Sequence, residues 1–454
     1  MNISNLKKLY FLGIGGIGMS AIARFFLRSG VEIYGYDIAN TRLTKKLEAE
    51  GMNIHYDIDI DKIPKDIDGV IYTPAIPDDH DELIWLKSNN YSLKKRAEVL
   101  GLLSEEMKCI AVAGTHGKTT TSSILSHILT YCGLDISAFV GGILAEQNSN
   151  FIYGSSDIVV LEADEYDRSF LHLYPEMLVI LSVDPDHLDI YGEASELHKT
   201  YEQLTYQIKD GGNLFLMGDF EDAFSDTWQQ KLLGKGINIF KLNDSFGFNN
   251  IHVENERYVF DFKNDDTEII GVVSQLPGKH NISNSSVAMQ IALMLGAKPI
   301  DVQNAIMNFK GIHRRFEIVH DQDKVLLDDY AHHPEEVKNA VETVNSLYPD
   351  RRVLGIFQPH LFSRTKDFYH GFAEQLKNLD EVWLLEIYPA RELPMKGVES
   401  ELIYNLIPSD NKRIIHSSEL ISELRKKENL DVVITIGASD IDKYHKEIIN
   451  ILKK

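Results

Sequence analysis

Cysteine is nearly absent: two residues, Cys109 and Cys132, in a chain of 454. Two thiols cannot build a disulfide framework, which excludes the stapled scaffolds of small secreted domains and makes a reducing cytoplasm the expected location. Long hydrophobic runs are missing too, so no membrane insertion is expected. Leu9 to Ala23, behind Lys7 and Lys8, has the outline of a secretory signal. Its glycines at 13, 15, 16 and 18 would weaken a signal helix and fit a strand-turn-helix instead, so the chain is expected to be soluble and unprocessed. Positive charge is scarce: 46 Lys and Arg face 68 Asp and Glu, a net charge of −22. General binding to nucleic acid or anionic membrane needs a basic surface and is excluded, so an anionic ligand must be held by local groups. Repeats, low-complexity tracts and charged tails are also lacking. With 44% hydrophobic residues the chain fills more than one core, and its length suggests about three domains.

The most informative stretch is Ala113-Gly114-Thr115-His116-Gly117-Lys118-Thr119-Thr120-Thr121. The apolar run Cys109 to Ala113 suits a buried parallel strand, and Ser122 to Tyr131 carries helical periodicity through Ile124, Leu125, Ile128 and Leu129. A glycine turn between strand and helix is what a triphosphate requires. Backbone N–H groups from Gly114 to Thr120 cradle phosphate oxygens, Lys118 neutralises the outer phosphates, and the Thr119 hydroxyl suits Mg²⁺. The strict consensus would put its first glycine at Val112, so this is a variant P-loop that predicts ATP as co-substrate.

Nearer the start, Leu9-Tyr10-Phe11-Leu12, Gly13-Ile14-Gly15-Gly16-Ile17-Gly18, a periodic helix to Arg28 and Val31 to Asp37 form a Rossmann-like βαβ pattern. Gly13, Gly15 and Gly18 meet the G-x-G-x-x-G spacing, and Asp37 ends the second strand where a ribose-binding acid lies. The same turn holds any diphosphate, so a nicotinamide cofactor and the pyrophosphate of a UDP-sugar both remain open. Gly69 to Thr73 and Tyr91 to Leu93 extend the unit.

Downstream, Asp157 to Glu165 reads as a buried strand delivering Glu162, Asp164 and Glu165 at its carboxyl end. Met177 to Val183 does the same for Asp184, Asp186, His187 and Asp189. Both suit hard cations, as well as loop solvation or helix capping. Asn281 and Ser283, before an apolar helix from Ala288 to Leu295, either cap it or recognise a base. A third α/β segment begins near Phe309 to Ile312. Its strands Lys324–Asp329, Arg352–Phe357 and Glu381–Leu385 end in Asp329-Tyr330-Ala331-His332-His333-Pro334, Gln358-Pro359-His360-Leu361-Phe362-Ser363-Arg364 and Tyr388-Pro389-Ala390-Arg391-Glu392, with a last strand at Asp431–Ile436. Three polar clusters at three strand ends suggest one cleft.

This ordered set resembles the ATP-dependent Mur ligases over nearly the whole chain, most closely the members that add L-alanine. The motifs are Gly-Ile-Gly-Gly-Ile-Gly-Met, Gly-Thr-His-Gly-Lys-Thr-Thr-Thr, Glu162-Ala163-Asp164-Glu165, Asp186-His187-Leu188-Asp189-Ile190-Tyr191-Gly192, His280-Asn281, Arg314-Arg315-Phe316-Glu317, Asp329-Tyr330-Ala331-His332-His333-Pro334 and Phe357-Gln358-Pro359-His360. The resemblance implies an α/β fold of three domains. A Rossmann-like domain at 1–105 takes the UDP-sugar, a P-loop ATPase-like domain with a mainly parallel sheet spans 106–310, and a Rossmann-like domain at 311–454 takes the amino acid.

The implied reaction moves the γ-phosphoryl group of ATP to the lactyl carboxylate of UDP-N-acetylmuramate, and the amine of L-alanine attacks the acyl phosphate. By motif, Lys118 would contact the β- and γ-phosphates, Thr119 and Glu162 one Mg²⁺, and His187 a second. His116 would touch the muramoyl group or phosphate. Gly15, Gly16, Ile17, Gly18 and Asp37 would face UDP. Asn281, Arg315 and Asp329 match positions for adenine, phosphate and ribose. Tyr330, His332, His360 and Arg364 would line the alanine pocket, with His360 or His332 as base. The assembly implied is a monomer or a homodimer.

Two positions depart from the family pattern. A carbamoylated lysine expected beyond His187 falls near Tyr201 and Glu202, with Lys199 only approximate, and Leu361 stands where relatives carry an arginine. The alternatives are a ligase that joins a preformed tripeptide to the same sugar, an NAD(P)-dependent oxidoreductase, which leaves Lys118 and Thr119 unexplained, and a nucleotide-gated switch, which leaves the third segment unexplained.

Overall fold

Leu9, Tyr10, Phe11 and Leu12 are all fully enclosed, which an alternating strand with one wet face would not allow and a parallel strand covered on both faces requires. In the computed structural model, which describes residues 3–147, 149–185, 188–390, 392–408 and 410–453, Lys8–Leu12 is the central strand of a five-stranded parallel sheet. The strands run Asn53–His55, Glu32–Tyr36, Lys8–Leu12, Gly69–Tyr72 and Leu93–Lys95, and the order reverses beside Lys8–Leu12. That reversal opens a crevice at the carboxyl ends, where the glycine loop and the helix Ile17–Arg28 sit.

A second sheet of seven strands puts the strand before the P-loop at its centre. Its order is Asn238–Lys241, Asn213–Leu216, Met177–Ile180, Lys108–Ala113, Ile158–Glu162, Ser137–Leu144 and Ser149–Ile152. All neighbours are parallel except the last two, an antiparallel hairpin. Both acid-bearing strands therefore flank the P-loop strand and discharge at the same edge. A three-stranded sheet, Phe246–Glu254, Arg257–Asn264 and Glu268–Ser274, follows.

The last sheet has six strands in the order Glu317–Asp321, Val325–Asp329, Val432–Ile436, Val353–Phe357, Glu381–Leu384 and Lys412–Ile414. Only the first pairs antiparallel. By density of contacts the chain divides into two units, one of residues 1–247, 263–268 and 284–305, the other of 248–262, 269–283 and 306–454. Within the first unit one apolar core runs from Leu9 and Phe25 through Phe139 and Phe151 to Leu214 and Trp228, so the five- and seven-stranded sheets share an interior. No helix among the described residues is long and apolar enough to cross a membrane.

The helix after the P-loop begins at Lys118, because Gly117 at φ 81 makes the turn that starts it. One expectation shifts. The helix placed at Ala288 begins at Lys279, so Asn281 lies inside its first turn and its amide donates back to the Pro277 carbonyl at 2.7 Å. Asn281 is thus not the N-cap acceptor considered from sequence.

Candidate functional site

In the first unit the P-loop is held from behind by the segment after Met177–Ile180. Thr115 N–H donates to the Ser182 carbonyl (3.2 Å), His116 N–H to Ser182 Oγ (3.1 Å) and Asp184 N–H to Thr115 Oγ1 (3.2 Å), with the two hydroxyls 2.8 Å apart. Thr115 therefore spends its side chain on the loop. Gly114 has φ 135, and a Cβ there would lie 2.8 Å from Leu181 Cβ. His116 Nε2 stands 3.7 Å from Asp184 Oδ2.

Lys118 donates to the Gly114 carbonyl at 2.7 Å and meets the enclosed Glu165 carboxylate at 2.7 Å. Burial alone would lower its pKa, but Glu165, Asp164 and Glu162 outweigh it and hold the ammonium above its ordinary value. The lysine is thus a fixed cation at the mouth of a helix N-terminus. Thr119 Oγ1 donates to Glu162 Oε1 at 2.9 Å, and Gly141 N–H to Glu162 Oε2 at 2.7 Å. That oxygen spacing matches neighbouring ligands on an octahedral Mg²⁺ with bonds of about 2.1 Å, so the pair fits a hard cation that takes its other ligands from phosphate and water. Among the described residues no cluster of three or more His, Cys, Asp or Glu could hold a metal ion alone. Asp186 and His187 lie outside the described residues.

At the other loop of this unit, Gly13 has φ 81, and its N–H donates to the Tyr36 carbonyl at 2.8 Å. Asp37 accepts Gly15 N–H (2.7 Å) and Ala39 N–H (3.1 Å), so it shapes the loop from below. Gly16 and Ile17 are exposed at the start of the helix, and Asn150 donates to the Ile17 carbonyl at 2.6 Å. A Cβ on Gly18 would lie 2.2 Å from Nη1 of Arg96, whose Nη2 is 4.0 Å from Asp164. The third glycine thus makes room for a guanidinium beside this loop. Tyr201 is fully enclosed against Phe170, and Lys199 is exposed and paired with Glu196 at 2.6 Å. Neither offers an enclosed lysine where the family's carbamate would stand.

In the second unit the strand ends bring four rings into series. Centroids lie 5.6 Å apart for Tyr330 and His332, 6.1 Å for His332 and His360, and 5.9 Å for His360 and Tyr388. His332 Nδ1 is 2.9 Å from the Tyr330 carbonyl and must donate to it, leaving Nε2 the lone pair when the ring is neutral. Enclosure lowers the His332 pKa, which keeps it neutral. Asp329 accepts Phe316 N–H and Ala331 N–H, both at 2.7 Å, and enclosure pushes it up to about 7 against the opposing Arg315. Arg315 and Arg314 lie over the Tyr330 ring at 5.5 and 5.1 Å. Arg314 is committed to Asp328 (2.9 Å) and the Gly437 carbonyl (2.7 Å). Arg364 lies in the first turn of the helix Phe362–Leu376.

Sequence reasoning did not single out Ser182 or Arg96, nor Glu165 as the partner of Lys118 or Glu392 as that of Ser363. Glu165, Glu392 and Ser363 were within quoted clusters. Ser182 and Arg96 carry no local signal, since each acts on a residue 66 to 78 positions away that only the fold brings near.

Three family models match the chain: the Mur ligase family catalytic domain at residues 8–108, the Mur ligase middle domain at 112–292, and the Mur ligase glutamate ligase domain at 314–439. A UDP-N-acetylmuramate–L-alanine ligase of Flavobacterium psychrophilum is 44% identical, with 100% of this chain and 99% of that protein covered. One from Porphyromonas gingivalis is 43% identical over 96% of this chain and 97% of its own. The crystal structure of a UDP-N-acetylmuramate-alanine ligase from Thermotoga maritima superposes with a TM-score of 0.77 at 26% identity, covering 99% of both chains. A murein peptide ligase from Psychrobacter arcticus shares the fold with a TM-score of 0.65 at 21% identity, over 98% of both chains.

Proposed function

The chain belongs to the Mur ligase family, and from that premise we infer an ATP-dependent ligase that forms the amide between the lactyl carboxylate of UDP-N-acetylmuramate and L-alanine in peptidoglycan precursor synthesis. The observation that carries this reading is the P-loop arrangement: Lys118 held by Glu165, beside a Thr119–Glu162 oxygen pair at 2.9 Å. A switch protein would use the same loop and cation pair but leaves the ring cluster Tyr330, His332, His360 and Tyr388 unexplained. An oxidoreductase needs neither the lysine nor the oxygen pair.

A carboxylate is a poor electrophile, so it needs a leaving group, and the γ-phosphoryl group of ATP provides one. Phosphorylation gives an acyl phosphate; the amine attacks its carbonyl carbon, the C–O bond to phosphate breaks, and amide, ADP and phosphate result. No protein nucleophile is required, which leaves positioning and charge neutralisation to the protein. N–H groups of the P-loop other than those of Thr115 and His116, which donate to Ser182, cradle the phosphates, and Lys118 neutralises the β- and γ-groups. Thr119 and Glu162 would hold one Mg²⁺ and His187 a second, which supply positive charge to the transferred group. Gly15, Gly16, Ile17, Gly18 and Asp37 take the UDP part, helped by Arg96, and His116 reaches toward the acceptor. Asn281, Arg315 and Asp329 take adenine, phosphate and ribose. Tyr330, His332, His360 and Arg364 receive the amino acid; the free Nε2 of a neutral His332, or His360, takes the proton from the amine.

The domain division at 1–105, 106–310 and 311–454 belongs to the same reading, supported by a separate, mainly parallel sheet in each segment. So do a cytoplasmic location and a monomer or homodimer. The test is phosphate release from ATP and Mg²⁺ with UDP-N-acetylmuramate, comparing L-alanine, glycine, L-serine, a tripeptide and no amino acid. Release dependent on both the sugar and L-alanine is expected. Release driven only by the tripeptide would select the recycling activity instead, and none with any combination would refute the ligase reading.

A further inference from the structure

The helix Phe362–Leu376 begins without a cap of its own. Its N-cap residue is Leu361, which has no side-chain acceptor and sits at φ 69, ψ 139, a conformation leucine rarely adopts. The missing acceptor comes from another segment: Glu392 takes Ser363 N–H on one oxygen (3.0 Å) and Ser363 Oγ–H on the other (2.5 Å). A carboxylate there also meets the positive end of the helix. The strap that brings Glu392 starts at Tyr388, whose N–H donates to the Pro359 carbonyl (2.8 Å) and whose carbonyl accepts Leu361 N–H (3.0 Å). It turns at Ala390, φ 48, closed by Glu392 N–H on the Pro389 carbonyl (2.9 Å). His360 stacks on Tyr388 with an interplanar angle of 16°. The segment 359–363 is thus clasped at both ends, with the strained Leu361 between.

We propose that Glu392 is a positioning residue for the amino-acid pocket, capping this helix from the strap so that His360 and Arg364 keep one spacing; the idea rests on the reading that those two residues receive the amino acid. With the helix terminus already neutralised by Glu392, the carboxylate of the incoming amino acid is left to the Arg364 guanidinium. Without the clasp Leu361 relaxes toward negative φ and Arg364 turns with its helix.

The full-length enzyme is assayed as wild type, Glu392→Gln, Glu392→Asp and Arg364→Ala, varying L-alanine, ATP and UDP-N-acetylmuramate in turn, with hydrogen exchange of the 362–365 segment in parallel. Glu392→Gln is expected to raise the alanine KM about tenfold, leave the other two KM values within about twofold, and speed exchange of that segment. Glu392→Asp should recover part of the loss, which loss of folded protein would not. An unchanged alanine KM in Glu392→Gln, where Arg364→Ala raises it, overturns the proposal. If Arg364→Ala has no effect on the alanine KM, the pocket assignment fails instead; exchange then decides the clasp, faster in Glu392→Gln supporting it and unchanged refuting it.

Discussion

Lys118 and Gly114 show how much one residue settles. Lys118 is a cation fixed by Glu165 at the P-loop, and if it meets the phosphates as proposed, Lys118→Ala should lower ATP-dependent phosphate release by at least about a hundredfold. Calorimetry should still find UDP-N-acetylmuramate bound; wild-type turnover would remove Lys118 from the phosphate site. Asp329 carries a different prediction. Its carboxyl is pushed from the ordinary 3.8 up to about 7 in the folded chain. A raised acid pKa means the fold favours the protonated form, so the contribution is fully present below 3.8 and is lost as pH rises through about 7. Urea midpoints of Asp329→Asn should therefore fall less between pH 4 and 7 than those of wild type, and parallel curves would contradict this. His280 acts oppositely: enclosure lowers it to about 4, so its share is present above the ordinary 6.5 and fades as pH falls toward 4.

Among elements, the two glycine loops teach most. Gly18→Ala would put a Cβ 2.2 Å from Arg96 Nη1 and push the guanidinium away, so the KM for UDP-N-acetylmuramate should rise about tenfold while that for ATP holds. A steady-state titration of each substrate checks this, and an unmoved sugar KM would detach Arg96 from the diphosphate. Strands that lead into these loops were legible because a strand buried on both faces is an unbroken apolar run, as in Leu9–Leu12 or Cys109–Ala113. The hairpin Ser137–Leu144 and Ser149–Ile152 was not, with Gly141 and Gly142 interrupting its pattern. Nor was the sheet from Phe246 to Ser274, whose first strand is mostly exposed and interrupted by Asn249 and Asn250. The strand expected at Tyr91–Leu93 starts at Leu93, a boundary no periodicity over so few residues can define. The candidate site was legible where its residues follow one another, as from Gly114 to Thr120. Glu392 on Ser363 and Ser182 on the P-loop were not, because they depend on which strand lies beside which.

At the scale of the whole molecule, charge sets a measurable tendency. A chain of net charge −22 repels anionic substrates at a distance even where its local sites attract them. Raising KCl from about 10 to 150 mM at fixed Mg²⁺ should therefore increase kcat/KM for UDP-N-acetylmuramate, as the Debye length shrinks from about 30 to 8 Å. A decrease would mean that local cations govern the approach.

The interior shared by the first two sheets has a bearing on how such enzymes can be recombined. Phe25, on the helix behind the first glycine loop, packs at 5.7 Å from Phe139 and 6.4 Å from Phe151, both on the hairpin of the second sheet. A chimera that imports residues 1–105 from a relative would set foreign side chains against this aromatic knot. Such grafts should work only when the hairpin travels with the donor segment, so the unit of exchange is larger than the five-stranded sheet and its helices.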